Sequence, residues 1–407
     1  MTDTHTDSPM SYLFACDEWF SKTGGISVVN RKLAKAVAEI GNPTMCLVES
    51  ATEEERLEAA ACGVRLVVAG TTPAGPDLHL PVDEILSAAP DVVVGHDRIT
   101  GHIAWLYARR YGDSRLVHIQ HTAPAEIEPY KDVTSAGSKA DTREAFTRQV
   151  ANSATVVAGI GPRLTRYAEH VLGDGYRAVP VVRLDPGLDV EGGTIERRRQ
   201  VPVKTTVLVL GRTGDVTLKG LDIAAAAVAS LPAPGALPVP TLQVRGAPAA
   251  ACDAVHAELV AASGLARGRI DVRPYTGDSA VHRDLRSAAL CLMPSRAEGF
   301  GLVAWEAIAA GTPVLLSAHS GAAELLREHL GVVAETMIVD VTDDVDHDRR
   351  IWADAIYRVL SDLPAAFVHA HHVRAVLAAC LPWSAAAGRL HAAVRAGRNT
   401  ARFEPIP

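Results

Sequence analysis

Glu298 and Glu306 stand eight positions apart around a glycine-interrupted turn, within the stretch Leu292–Leu325. That stretch reads as a strand end, the turn with Gly299 and Gly301, a helix, a second strand and another turn entering a helix. If the first helix starts near Gly299–Leu302, Glu298 lies in the preceding turn facing a cleft, and Glu306 about one turn further into the helix. A carboxylate in either place accepts hydrogen bonds from a diol, so the pair can hold two separate sets of hydroxyls. The glycines leave backbone N–H groups free at the helix start, where anions bind favourably. Taken alone, the pair is also what an acidic helix start and a solvent-facing helical Glu would give.

A second constellation is Gly211-Arg212…Lys219-Gly220, after the apolar run Val207–Leu210. An Arg and a Lys converging from one turn suit an anionic leaving group whose developing charge they neutralise. It is not a phosphate-binding P-loop, because Lys219 is followed by Gly220 and the glycine spacing differs. Gly24 and Gly25 open a helix after the first strand, either for a tight turn or for close approach of a ligand. His121 ends the run LVHIQ and begins a turn, where an imidazole can donate a hydrogen bond to a substrate hydroxyl or oxyanion. His96 and Asp97 occupy a similar strand end, as cleft lining or as plain turn residues. The HAHH run at His369–His372 has no carboxylate partner in view and reads as a solvated helix face.

The elements that must carry these residues form two α/β halves. Short apolar runs at Ser11–Cys16, Met45–Val48, Val64–Val68, Val92–Val94, Leu116–Ile119, Ala154–Ala158 and Val179–Arg183 alternate with helical segments, the first with apolar spacing over Ile26–Ile40. Strands alternating with helices imply a largely parallel sheet. The pattern restarts at Val207–Leu210 and continues through Leu242–Val244, Ile270–Val272, Leu290–Met293, Val314–Leu316 and Val332–Val333. From Arg349 the chain is helical in segments, broken at Pro364 and Pro382. The glycine- and charge-rich stretch Asp185–Pro202 is the domain boundary. The expected division is a first doubly wound domain at 1–190 and a second at 191–383, followed by a terminal helix at about 384–407. Two such domains favour a ligand in the cleft at the carboxyl ends of their strands.

The 407 residues suit two or three domains, and 48% hydrophobic with 21% charged residues describes a globular chain. A net charge of −7 without a dense Lys/Arg tract disfavours nucleic acid. Arg109 and Arg110 would support at most a peripheral membrane contact. The six cysteines are scattered without paired spacing, which suits a reducing cytoplasm and argues against zinc. The polar start is not a signal peptide, and no apolar run is long enough to span a bilayer. A cytoplasmic, metal-independent protein is expected.

The stretch PSRAEGFGLVAWEAIAAGTPV resembles the signature of glycosyltransferase family 4, the retaining, nucleotide-sugar-dependent enzymes of GT-B fold. Pro294, Ser295, Glu298, Gly299, Phe300, Gly301, Glu306, Ala307, Gly311, Pro313 and Val314 match its pattern, and Gly321 and Glu324 match the following turn. The resemblance implies a GT-B architecture of two Rossmann-like domains facing a cleft, with the helix opened by Pro382-Trp383-Ser384 packing back on the first domain. It implies that Glu298 contacts the donor sugar, Glu306 the ribose of the nucleotide, and the amides around Gly301 and Leu302 the diphosphate, with Phe300 in the same set. Arg212 and Lys219 take the family's two basic positions at the diphosphate. Gly24 and Gly25 fall where the family has a glycine pair near the donor phosphates or the acceptor. His121, favoured over His118 inside the strand, falls beside the reacting centre, and Arg273–Thr276 where backbone meets the nucleobase. The partners implied are a nucleotide-diphosphate sugar of unstated base and an unknown acceptor, with no further cofactor. Rival readings are a nucleotide-sugar sensor without turnover, or an epimerase or phosphorylase on the same architecture.

Overall fold

The computed structural model describes residues 8–21, 24–131, 135–173, 179–189, 205–232, 239–342 and 344–397. The expected boundary at 190/191 lies outside them, as does the chain beyond 397.

The first half runs β1 (Tyr12–Ala15), α1 (Gly25–Glu39), β2 (Thr44–Val48), α2 (Glu53–Ala61), β3 (Val64–Val68), the strands β4 (Gly70–Thr72) and β5 (Gly75–Asp77), α3 (Asp83–Ala88), β6 (Val92–His96), α4 (Asp97–Tyr111), β7 (Arg115–Gln120), α5 (Pro124–Ile127), α6 (Ala136–Asn152), β8 (Val156–Ile160), α7 (Gly161–Leu172) and β9 (Val181–Leu184). Seven strands pair in the order β3-β2-β1-β6-β7-β8-β9, all parallel. Central strands such as YLFA are apolar throughout because helices cover both faces of the sheet.

The second half begins with β10 (Thr206–Leu210), then α8 (Val216–Lys219), α9 (Leu221–Ala229), β11 (Thr241–Ala247), α10 (Cys252–Ser263), β12 (Ile270–Pro274), α11 (Asp278–Ser287), β13 (Leu290–Met293), α12 (Leu302–Ala309), β14 (Val314–Ser317), α13 (Gly321–Leu330), β15 (Ile338–Val339), α14 (Val345–Ser361), α15 (Leu363–Cys380) and α16 (Trp383–Ala396). Its strands pair in parallel in the order β12-β11-β10-β13-β14-β15. The helix α16 packs on α1, β8 and β9 of the first sheet.

Two differences from the sequence expectation have local causes. Val332–Val333 is not a strand: it lies in a 3₁₀ turn, Gly331–Thr336, and Val332 is 86% exposed. Gly331, with φ +55°, stops α13, and the chain must turn before it reaches the sheet at Ile338. The antiparallel pair β4–β5 was not expected; its short, glycine-containing strands lack the apolar alternation that marks a hairpin.

A continuous apolar core runs through both halves, from Tyr12 and Phe14 through Leu164 to Phe300, Trp305 and Leu390. The halves are therefore joined by burial as well as by charge. Ion pairs cross between them at Arg31–Asp278 (2.6 Å), Arg166–Glu324 (2.7 Å) and Arg183–Glu328.

Candidate active site

The strand order reverses between β1 and β6 in the first sheet and between β10 and β13 in the second. Loops leaving the carboxyl ends of strands at such points separate and leave a crevice. Gly24 follows β1, His96 ends β6 and His121 follows β7; Arg212 follows β10 and Glu298 follows β13. The chemistry-bearing residues thus collect at the two switch points.

On the second-half wall, Gly301 stands before α12 with φ +103°, and the helix begins at Leu302. A left-handed residue at this place is what glycine supplies without a Cβ clash; here a Cβ would come within 2.6 Å of Met293 Cε. Ala304 N–H already binds the Gly301 carbonyl at 3.1 Å, whereas the Leu302 and Val303 amides precede any carbonyl the helix can offer them. Glu298 lies in the turn, one fifth exposed, and receives hydrogen bonds from Lys219 Nζ at 2.6 Å and Ser295 Oγ at 3.3 Å. Its backbone N–H is tied to His319 O at 3.0 Å, which fixes the turn against the start of α13. Lys219 is the last residue of α8 and is followed by Gly220, with φ +65° and packed on the Pro294 carbonyl. Arg212 is 56% exposed and pairs with Asp215 at 3.4 Å.

Glu306 lies farther along α12, partly open to a cavity of about 140 Å³. Arg31, Lys32, Asp278, Trp305 and Trp383 share that cavity. Enclosure by protein pushes the Glu306 carboxyl up to about 7; Asp278 adds to the rise, and Arg31 and Lys32 oppose it. Phe300 does not present its ring as a ligand surface. It is 4% exposed, lies edge-on to Trp305 at 5.4 Å, and fits against Gly161 of the first half. A Cβ on Gly161 would stand 2.7 Å from that ring, so Phe300 seals the two halves and has its backbone alone to offer a ligand.

On the first-half wall, Gly24 is extended (φ −166°) with open space where a Cβ would be. The next residue, Gly25, packs against Leu302, bringing this turn onto the start of α12. His121 is half-buried, and its carbonyl faces Gly299. His118, inside β7, is fully buried beside Gly101 of α4. Asp97 has φ +41° and is 4% exposed; burial pushes its carboxyl up to about 7. Its Oδ2 accepts His121 N–H at 3.1 Å and Thr122 Oγ1 at 2.9 Å. Such a left-handed, buried carboxylate stores strain of the kind found at functional turns. Sequence reasoning named Asp97 only as lining and missed Asn30, whose polar side chain on an apolar helix face was the available signal. Arg273 is engaged by Asp271 and Asp284, at 2.7 and 3.2 Å. Arg109 is exposed, with its guanidinium lying over the Trp105 ring. Among the described residues, no helix is long and apolar enough to cross a membrane, and no group of three His, Cys, Asp or Glu side chains is placed for a metal ion.

Two doubly wound sheets facing one cleft, with a Glu–Lys pair on one wall and a histidine turn on the other, define the GT-B class of glycosyltransferase fold. The model for the "Family 4 Glycosyltransferase in conflict systems" matches residues 13–390, and the chain belongs to that family. A D-inositol 3-phosphate glycosyltransferase of Stackebrandtia nassauensis is 33% identical over 290 residues, 67% of this chain and 61% of that protein. Against this and two further curated relatives, the matches span between 61% and 64% of the relatives' length. Among solved structures, a sucrose-phosphate synthase from Thermosynechococcus elongatus superposes with TM-score 0.69 at 19% identity, over 96% of this chain and all of that one. Anabaena HepE, solved with UDP and glucose, gives 0.69 at 17% identity over 95% of this chain and 99% of its own.

Proposed function

We propose that this chain transfers a sugar, with retention of configuration, from a nucleotide-diphosphate sugar to a hydroxyl-bearing acceptor. The observation that carries the reading is the 2.6 Å pair between Lys219 and Glu298, set beside the uncapped start of α12 at the switch point of the second sheet. The amides at Gly301 and Leu302, with Lys219 and Arg212, bind the diphosphate. Glu298 holds hydroxyls of the donor sugar, and Glu306, in its cavity, the ribose diol. Gly24 leaves room for the phosphates, and His121 faces the reacting centre. The bond from the anomeric carbon to the diphosphate oxygen breaks as the acceptor oxygen bonds to the same face, and a phosphate oxygen takes the acceptor's proton. Lys219 and Arg212 offset the charge that develops on the leaving group. Family membership and the inositol phosphate glycosyltransferase relatives support glycosyl transfer, and the HepE structure with UDP and glucose supports the donor type. No cofactor besides the donor is invoked. All six cysteines are free thiols, which fits a reducing cytoplasmic setting.

A thermal-shift panel of nucleotides and nucleotide sugars tests the donor pocket, because a ligand that binds the folded state raises the melting temperature. No shift with any nucleotide diphosphate would remove the reading. Turnover assays on the donors that do shift it separate a transferase from a sensor, which binds without turnover. Product spectra then separate it from an epimerase, which alters the sugar without an acceptor, and from a phosphorylase, which needs phosphate.

A further inference from the structure

Beneath His121 runs a chain of side chains that the donor pocket does not use. Asn30, on the buried face of α1, donates its amide N–H to Cys46 Sγ at 3.3 Å. That contact turns Asn30 Oδ1 toward His96, whose Nε2 is 2.9 Å away. His96 Nδ1 is in turn 2.8 Å from His121 Nε2. Asn30 and His96 are fully buried, at 0% exposure.

The hydrogen positions follow from what each atom can do. A carbonyl oxygen accepts and never donates, so His96 carries its proton on Nε2. Burial keeps both rings neutral: it holds His96 well below its usual range and His121 down to about 3. A neutral imidazole has one N–H, which leaves His96 Nδ1 as a lone pair. The hydrogen between the two rings therefore belongs to His121 Nε2, and His121 Nδ1 is left unprotonated.

We propose that Asn30 and His96 are positioning residues that hold His121 in its Nε2–H tautomer, so that Nδ1 meets the substrate as an acceptor. Asp97 fixes the same turn from the backbone side by binding His121 N–H. The consequence is selective. At this point the site takes a group that donates, such as a sugar or acceptor hydroxyl, and disfavours one that only accepts, such as a phosphate oxygen or a fluoro substituent. That reverses the sequence expectation of a His121 that donates. The inference rests on the transferase reading for its substrate, but not for its tautomer.

The test is a two-bond ¹H–¹⁵N correlation spectrum of the full chain labelled at histidine, with His121 assigned by its loss in His121→Gln. The Nε2–H pattern is expected for His121 and His96 in the unliganded wild type. In His96→Phe, which keeps an aromatic ring but accepts nothing, His121 is expected to shift to a tautomer mixture. In Asn30→Asp, which retains the acceptor oxygen, the wild-type pattern is expected to persist. Kinetically, His96→Phe should lower kcat/KM about tenfold, the scale of one hydrogen bond. Replacing the contacted hydroxyl by fluorine should cost wild type at least as much and His96→Phe less. An Nδ1–H pattern for His121 in the wild type would overturn the proposal, and that spectrum needs no variant to fold. So would an unchanged His121 pattern in a folded His96→Phe. The expected spectra without turnover of any nucleotide sugar would uphold the relay and instead refute the transferase function.

Discussion

Lys219 Nζ lies 2.6 Å from Glu298 Oε2, joining two turns 79 residues apart in sequence. Each side chain is about one fifth exposed, so the ammonium is neutralised by the glutamate until an anionic ligand competes for it. A donor diphosphate would take over the Lys219 charge and free Glu298 for the sugar hydroxyls. Lys219→Ala is expected to lower kcat by about 10²–10³, the loss typical of one group stabilising developing charge. Because the two act as a unit, the double variant Lys219→Ala/Glu298→Gln should be less impaired than the product of the single effects. Steady-state nucleotide release decides it, and strictly multiplicative losses would show that the pair is not coupled.

Lys219 reaches Glu298 because Gly220 lets the chain turn tightly against the neighbouring strand end. Gly220 has φ +65°, and a Cβ there would overlap the Pro294 carbonyl oxygen, a backbone atom that cannot swing aside. Gly220→Ala is expected to destabilise the fold by about 3 kcal/mol or to prevent folding, since strain and overlap add. Gly24→Ala is the contrasting case, with extended backbone and open space around it. Its stability should stay within about 0.5 kcal/mol of wild type while the donor KM rises. Urea unfolding read beside kinetics separates the two, and a stable, fully active Gly220→Ala would contradict the packing described.

Much of this was legible in the chain itself, for physical reasons. Buried parallel strands are apolar on both faces, so runs such as VLVL and LCLM announce themselves, and glycine turns mark where they end. The Glu298 turn was legible because its glycines and carboxylates are close in sequence. Asn30 with His96 was not, because residues 66 apart meet through sheet order, which no local pattern encodes. Nor was the place of Phe300 legible: whether an aromatic in a binding turn faces ligand or core depends on Gly161 in the other half. Arg31–Asp278, 247 residues apart, is invisible for the same reason.

Phe300 offers a direct check of that distinction. With its ring between Gly161 and Trp305 and 4% exposed, it belongs to the joint between the halves. Phe300→Ala should therefore destabilise by about 3–5 kcal/mol, as a buried ring lost from a packed core does. The milder Phe300→Leu is expected to leave the donor KM within a few-fold of wild type while still lowering the melting temperature. A Phe300→Leu protein of normal stability but much weakened donor binding would return the ring to the ligand.

Glu306 carries the last prediction, through its pH dependence. Its carboxyl is raised to about 7 in the folded chain, chiefly by burial, against 4.5 for the free group. Between those values the folded state binds more protons than the unfolded one, so this group's contribution to stability is full below about 4.5 and is lost as pH rises through 7. Glu306→Gln removes that term, and its stability relative to wild type should increase from pH 5 to pH 8. Ligand binding should run the other way. A ribose diol donates to the ionised carboxylate, so nucleoside diphosphate affinity in wild type is expected to rise across pH 6–8 more than in Glu306→Gln. The comparison with the variant cancels the titration of the phosphates themselves. Calorimetric titration at several pH values measures the difference, and parallel pH profiles for the two proteins would show that Glu306 does not hold the ribose.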